Sequence, residues 1–250
     1  MSDLARVASA LAAARSVFVL TGSGISSESG LPTFRGVDGL WRTHRVEVLA
    51  SAAGFARDPE LVWTWYNERR AAHLAAEPNA GHRALAALQA RVHDLTLATQ
   101  NVDSLHARAG SRDVLELHGS LREARCDRCG ARRTLDRALE PSEIDHVCGG
   151  KLRPDIVWFG ESLPGDVFER AARAATRADV VLVIGTSGMV NPAASLATLA
   201  PKADALVVEV NPEETAITPR ANVSIRDRAA RALPALLETV TSGGVSERVT

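Results

Sequence analysis

Ser16-Val-Phe-Val-Leu-Thr-Gly-Ser-Gly-Ile-Ser-Ser-Glu-Ser-Gly-Leu-Pro-Thr-Phe-Arg35 passes from an apolar, β-branched run into a glycine turn and then a serine-rich segment. Val17 to Leu20 read as a buried strand. Gly22 and Gly24 follow at once, with Ser26 and Ser27 placed for an N-cap or first helical turn. A strand that runs through Gly-x-Gly into a helix is a phosphate cradle. The glycines let backbone approach the ligand, and the helix start offers free N–H groups. The full dinucleotide fingerprint is incomplete: Ser27 stands at the third glycine position, and no acidic residue follows at the expected place. On this stretch alone, a plain tight turn is the alternative.

The chain has 250 residues, room for one large core or a large and a small domain. With 46% hydrophobic and 24% charged residues and no apolar run long enough for a membrane span, we expect a soluble protein. Met1-Ser-Asp-Leu-Ala-Arg-Val7 lacks the features of an export signal, so the expected compartment is the cytoplasm. A formal net charge of −1 argues against nucleic-acid binding through a positive surface. Three clustered cysteines favour a reduced compartment and a metal site over disulfides.

Outward from the glycine turn, residues 3–14 are expected to be helical. Leu31 to Gly36 form a loop bracketed by Pro32 and Gly36, a cover for whatever the glycines hold. Pro59 opens a helix through Tyr66 and Arg69 to about Leu74, and Gly81 to Ala90 form another. Strands are expected over His93–Ala98, Val114–Leu117, Asp179–Ile184 and Ala205–Val210. Helices are expected over Asp166–Ala178, Pro192–Ala200 and Asp227–Glu238. Such alternation argues for an α/β fold with a doubly wound, Rossmann-like parallel sheet, whose ligands bind at the carboxyl ends of the strands.

Arg122 to Arg153 interrupt this pattern. Cys126-Asp-Arg-Cys129 and His146-Val-Cys148 offer four N/S ligands in two pairs, the pattern of a closed structural zinc site. A closed site cannot activate water, so its expected task is to hold together a short insertion. Asp145 is an alternative fourth ligand. His118, between an apolar strand and Gly119, lies level with the Gln100-Asn101-Val102-Asp103 loop, where a histidine can serve as general base. Asn101 and Asp103 are placed to hold ribose hydroxyls or a carboxamide.

Taken together, Gly22-Ser-Gly-Ile-Ser26 with Pro32-Thr-Phe-Arg35, Thr99-Gln-Asn-Val-Asp-Ser-Leu-His106, Leu117-His-Gly119, the cysteine knuckle, Val157-Trp-Phe-Gly-Glu161, Gly185-Thr-Ser187 and Val210-Asn-Pro-Glu213 resemble the sirtuins in order and spacing. These are NAD-dependent protein lysine deacylases, and the likeness covers nearly the whole chain. It implies a Rossmann-like NAD-binding domain from residues 1–35, 82–121 and 153–250. A helical insertion (36–81) and a zinc-binding insertion (122–152) would form a small domain. It implies that Gly22, Ser23, Gly24, Ile25, Phe34, Arg35, Trp41, Gln100, Asn101, Val102 and Asp103 hold the phosphates, nicotinamide and its ribose. Gly185, Thr186, Ser187, Asn211, Pro212, Glu213 and Ala229 would hold the adenosine half. His118, helped by Asn101, would be the catalytic base. Val157, Trp158, Phe159, Gly160 and Glu161 would pair as a strand with an acyl-lysine peptide. Cys126, Cys129, His146 and Cys148 would hold one structural Zn²⁺. NAD would be consumed: nicotinamide leaves, and the acyl group ends on ADP-ribose.

The likeness extends to the class III (desuccinylase/deacetylase) branch, which removes succinyl, malonyl or glutaryl groups. There a Tyr-x-x-Arg pair reads the distal carboxylate, and Tyr66-Asn-Glu-Arg69 matches it. Residues three apart on a helix share a face. Ser23 and Ser27 stand where alanine is usual, and His146 where cysteine is usual. A non-catalytic NAD-binding regulator, an oxidoreductase and an ADP-ribosyltransferase are the rival readings.

Overall fold

A computed structural model describes residues 2–33, 49–199 and 204–243. The expected ligands Phe34, Arg35 and Trp41 lie outside the described residues.

Helix α1 (Asp3–Ala13) leads into β1 (Val17–Thr21), every residue of which is buried. A strand covered on both faces is what a continuous Val/Phe/Leu run requires. Beside it lie β2 (Leu95–Thr99) and then β3 (Leu115–Glu116) on one side. On the other lie β7 (Val180–Ile184), β8 (Leu206–Val210) and β9 (Val223–Ile225). The six strands run parallel in the order β3-β2-β1-β7-β8-β9. The chain builds outward from β1 to β3 and then returns to place β7 against β1. That reversal opens a crevice at the carboxyl ends of the central strands.

Side chains alternate across β1 as a strand demands. Val17 and Val19 face a layer made by α1, α4 (Ala80–Gln89) and α7 (Ala229–Gly243). Phe18 and Leu20 face α6 (Gly165–Arg177) and the turn after Pro192. The segment expected as a helix over 192–200 is a 3₁₀ turn at Ala193–Ala197. The glycine loop likewise leads into 3₁₀ rather than α-helix, over Ser23–Ser29. Gly22 holds the N-cap position without a side-chain bond, and Ser26 turns inward instead of capping.

A second layer is built from two separated stretches. After β3 the chain enters β4 (Gly119–Cys126), which pairs antiparallel with β5 (Arg132–Thr134) and β6 (Leu152–Ile156). Sequence periodicity did not announce these strands, because the cysteine knuckle and arginines break their alternation. Helices α2 (Ala52–Arg57) and α3 (Pro59–Ala75) pack on this sheet; Pro59 opens α3 as expected, and the Asp58 side chain caps it. The shared core joins Phe55, Trp63 and Tyr66 of the helices to Leu121, Leu152 and Ile156 of the sheet. Trp63 Nε1 donates to the Leu152 carbonyl at 2.8 Å, and Arg70 Nε to that of Leu121 at 2.7 Å. A short helix α5 (Leu105–Arg108) completes the elements. Among the described residues, no helix is long and apolar enough to cross a membrane.

Candidate active site and metal centre

A cavity of about 1000 Å³ opens where β1, β2, β7 and β8 end, and extends to α3 and the segment after β6. Its floor is two loops in close contact. Gly22 N donates to Ile184 O at 3.0 Å, and Gly24 N to Gly185 O at 2.8 Å. A methyl group on Gly22 would sit 2.7 Å from Thr186 Cβ, and one on Gly24 2.8 Å from Gly185 Cα. Glycine is therefore required here by loop-on-loop packing as well as by any ligand. Gln100 Nε2 donates to Thr186 Oγ1 at 3.0 Å and Asn211 Nδ2 to Thr186 O at 3.2 Å, tying three strand ends together.

Gly22, Ser23, Gly24, Gln100, Asn101, Val102, Gly185, Thr186, Ser187, Asn211, Pro212, Glu213 and Ala229 all line this cavity. Ile25 does not: its side chain is buried in the core beneath. Asp103 is also behind the wall. It accepts hydrogen bonds from Ser26 Oγ at 2.7 Å and from Leu105 N at 2.9 Å.

His118 lies in the cavity wall between the two sheets. Leu117 N donates to Thr99 O, and Val157 N to His118 O, so its main chain is clipped on both sides. The next residue, Gly119, has φ +78°, and a Cβ there would lie 2.0 Å from Asp155 O. The ring is fixed by a 2.9 Å contact from Nδ1 to the Gln100 carbonyl. A carbonyl only accepts, so Nδ1 carries the proton and Nε2 keeps a free lone pair. Burial lowers the imidazole's pKa below 6.5, and the bond to Gln100 partly opposes this. A base that is neutral at pH 7, with its other nitrogen stabilised as a donor, can remove a proton from a hydroxyl.

Sequence reading missed the network behind this candidate base. Ser26 Oγ is reached by Asn101 Nδ2 at 3.1 Å, by His82 Nε2 at 3.4 Å, and itself donates to Asp103. His82 packs edge-on to His106 with centroids 4.8 Å apart, and His106 Nε2 lies 2.9 Å from Thr21 Oγ1. The one local signal is Asn79-x-x-His82, in which the two residues cap α4 reciprocally.

At the far end, Tyr66 and Arg69 line the cavity from one face of α3. The Arg69 guanidinium stacks 4.7 Å from the Trp65 ring, and burial lowers its pKa. Burial pushes the Tyr66 phenol up to about 12. Val157, Trp158, Phe159, Gly160 and Glu161 form the adjoining lip.

The metal candidates also converge. Ligand atoms of Cys126, Cys129, His146 and Cys148 all lie within 4.8 Å of one another. Cys126 and Cys148 sulfurs are 3.4 Å apart, too far for a disulfide, and His146 Nδ1 is 3.2 Å from Cys148 Sγ and 3.7 Å from Cys129 Sγ. Ligands about 2.0–2.3 Å from one tetrahedral ion are separated by about 3.5–3.8 Å, so the set fits a structural Zn²⁺. Asp145 is not in the set; its carboxylate takes Lys151 Nζ at 2.6 Å.

The profile of the Sir2 family matches residues 22–192. The chain belongs to the Sir2 family. Sir2 relatives match it over almost its full length. An "NAD-dependent protein deacylase 2" of Pyrobaculum aerophilum is 51% identical over 94% of each chain. An "NAD-dependent protein deacylase 1" of Archaeoglobus fulgidus is 47% identical over 92% of this chain and 95% of its own. Among solved structures, a mutant Sir2 homologue in complex with ADP-ribose superposes with a TM-score of 0.92 at 44% identity, covering 98% of this chain and 99% of that one. A Sir2 complex with p53 peptide and NAD⁺ superposes with a TM-score of 0.82 at 32% identity, covering 96% and 98%.

Proposed function

We propose that this chain is an NAD-dependent protein lysine deacylase of the cytoplasm, removing acetyl and also succinyl or malonyl groups and giving nicotinamide and O-acyl-ADP-ribose. The observation that carries the reading is the His118 ring, locked by Gln100 with a bare Nε2 in the wall of a cavity at the strand switch point. The relatives' names and the ADP-ribose and NAD⁺ complexes of its structural neighbours support it.

NAD supplies a nicotinamide leaving group and a ribose to receive the acyl group. His118 takes a proton from a ribose hydroxyl at Nε2, and the Gln100 carbonyl steadies the imidazolium through Nδ1. Asn101 positions the ribose and nicotinamide, held by Ser26, while Asp103 keeps that loop in place from behind. Backbone of residues 22–24, with Gln100 and Val102, holds the phosphate and nicotinamide side, and Ile25 anchors that turn in the core. Gly185, Thr186, Ser187, Asn211, Pro212, Glu213 and Ala229 hold the adenosine side. Phe34, Arg35 and Trp41, which lie outside the described residues, are assigned to NAD binding by the family resemblance alone. Val157 to Glu161 offer backbone to the substrate peptide, and Tyr66 and Arg69 bind the distal carboxylate of a succinyl chain. In this reading residues 1–35, 82–121 and 153–250 form the NAD-binding domain and 36–81 with 122–152 the small one, with β4 and β6 running across the boundaries at 121 and 153.

Product analysis tests it. Nicotinamide release should require both NAD and an acyl-lysine peptide, for acetyl and succinyl versions alike, with O-acyl-ADP-ribose as co-product. ADP-ribosylated protein as the main product would instead assign transfer to protein, and NADH absorbance would assign hydride chemistry.

A further inference from the structure

One residue belongs both to the peptide lip and to the acyl end of the cavity. Trp158 follows Val157 in the lip, yet its indole Nε1 lies 2.9 Å from the Tyr66 hydroxyl oxygen on α3. An indole N–H only donates, so Tyr66 is the acceptor in this bond. The tyrosine's own proton must then point elsewhere. Among the described residues no acceptor is recorded for it, and the side chain lines the cavity beside Arg69.

We infer that Trp158 is a specificity-determining positioning residue, whose indole N–H commits the Tyr66 hydroxyl to donate into the cavity so that, with Arg69, it selects acyl chains ending in an anionic acceptor. A tyrosine free to rotate can present either a lone pair or a proton to the ligand. With one lone pair occupied by Trp158, the group facing an acyl tail is an O–H donor beside a guanidinium. That pair rewards a carboxylate and offers nothing to a methyl group.

The indole is itself immobilised. The Arg153 guanidinium lies 3.4 Å from the centroid of its ring, and Phe55 packs 5.5 Å away. Arg153 holds Glu161 through both carboxylate oxygens, and Glu161 Oε2 accepts the Trp158 backbone N–H at 2.9 Å. Arg153 Nη2 also donates to the Ile156 carbonyl at 2.9 Å. The lip is thus bound to one buried arginine at Glu161 and at Ile156 just before it, which places the ring at a set height against Tyr66. The same linkage makes the acyl reader depend on the backbone that takes the peptide.

This inference rests on the carboxylate-reading role proposed for Tyr66 and Arg69, and a double-mutant cycle separates the two. The readout is the ratio of kcat/KM for matched succinyl- and acetyl-lysine peptides in wild type, Tyr66→Phe, Trp158→Phe and the double variant. Tyr66→Phe should lower the ratio about tenfold. Trp158→Phe should lower it about threefold to tenfold, carried in KM for the succinyl peptide, as the loss of one orienting hydrogen bond implies. In the Tyr66→Phe background, Trp158→Phe should lower it no further. A Trp158→Phe effect that persists undiminished in that background, or falls equally on both peptides, overturns the inference and leaves a packing role. An unchanged ratio in Tyr66→Phe alone overturns the carboxylate reading first, and the role of Trp158 with it. Replacing Trp158 by benzothienylalanine keeps the bicyclic shape without the N–H, so the same comparison holds if the phenylalanine variant folds poorly.

Discussion

His118 Nδ1 lies 2.9 Å from the carbonyl oxygen of Gln100, and this contact leaves Nε2 as the nitrogen able to accept a proton in the cavity. A general base works only when neutral, and burial favours the neutral His118 ring. Protonation therefore removes activity as pH falls. The kcat/KM profile for the acetyl peptide should be flat from pH 8 down to about 7 and decline only below 6.5. His118→Ala should cut kcat by about 10²–10⁴ while NAD still binds, measured by calorimetry. An acid limb centred well above pH 7 would contradict this assignment.

Arg69→Met should reduce the succinyl-to-acetyl ratio of kcat/KM. A charge-assisted bond out of water contributes about 1.5–3 kcal/mol, so the ratio should fall about 10- to 150-fold. Arg69→Lys should recover only part of it, because an ammonium lacks the planar fork that matches a carboxylate. Equal losses on both peptides would remove the carboxylate-reading role.

The knuckle should hold one zinc per chain by elemental analysis. Cys126 and Cys148 touch the apolar core of the small layer, so losing the ion loosens α3 as well as the knuckle. Chelation, or Cys129→Ser, should lower Tm by about 5–15 °C. His146→Ala should lose metal, whereas Asp145→Asn should keep it, since that carboxylate pairs with Lys151. The opposite pattern would make Asp145 the fourth ligand.

Acid should destabilise the fold through the buried histidine pair. Burial pushes His82 down to about 4 and His106 down to about 3, against 6.5 for a free ring. The unfolded chain binds protons that the folded one refuses. Their contribution is therefore intact above pH 6.5 and is lost as pH falls toward 4 and 3, at up to about 1.4 kcal/mol per pH unit for each ring. Glu116, raised by burial to about 7, acts in the opposite sense between pH 7 and 5. The histidine share is thus read by difference: urea unfolding at pH 7 and pH 5 should show a smaller loss in His106→Gln than in wild type. Identical losses in the two proteins would show that His106 is not buried neutral.

Much of the architecture was legible locally. The apolar run at Val17, the Pro59 start of α3 and the C-x-x-C turn each declare themselves within a few residues, because burial periodicity and turn chemistry are short-range. The expected helix over 192–200 contracted to a 3₁₀ turn because the segment is short and packs against α6 rather than standing as an amphipathic helix. Strands β4 to β6 were hidden because their pairing joins residues about the knuckle, and partners far apart in sequence leave no periodic trace. Ser26 illustrates the same limit at the site. Its sequence context suggested a cap, whereas its partners Asp103, Asn101 and His82 arrive from two other segments.

By itself, the sequence determined the parallel α/β sheet and the glycine turn, and it named the candidate metal ligands and the candidate base, since strand burial, turn residues and ligand types are properties of short neighbourhoods. Only the tertiary structure decided which nitrogen of His118 is free, that Ser26 faces inward to Asp103, and that Trp158 reaches Tyr66. Those are directional hydrogen bonds between groups many residues apart, and their donors and acceptors acquire a partner only when the folded chain brings them within about 3 Å.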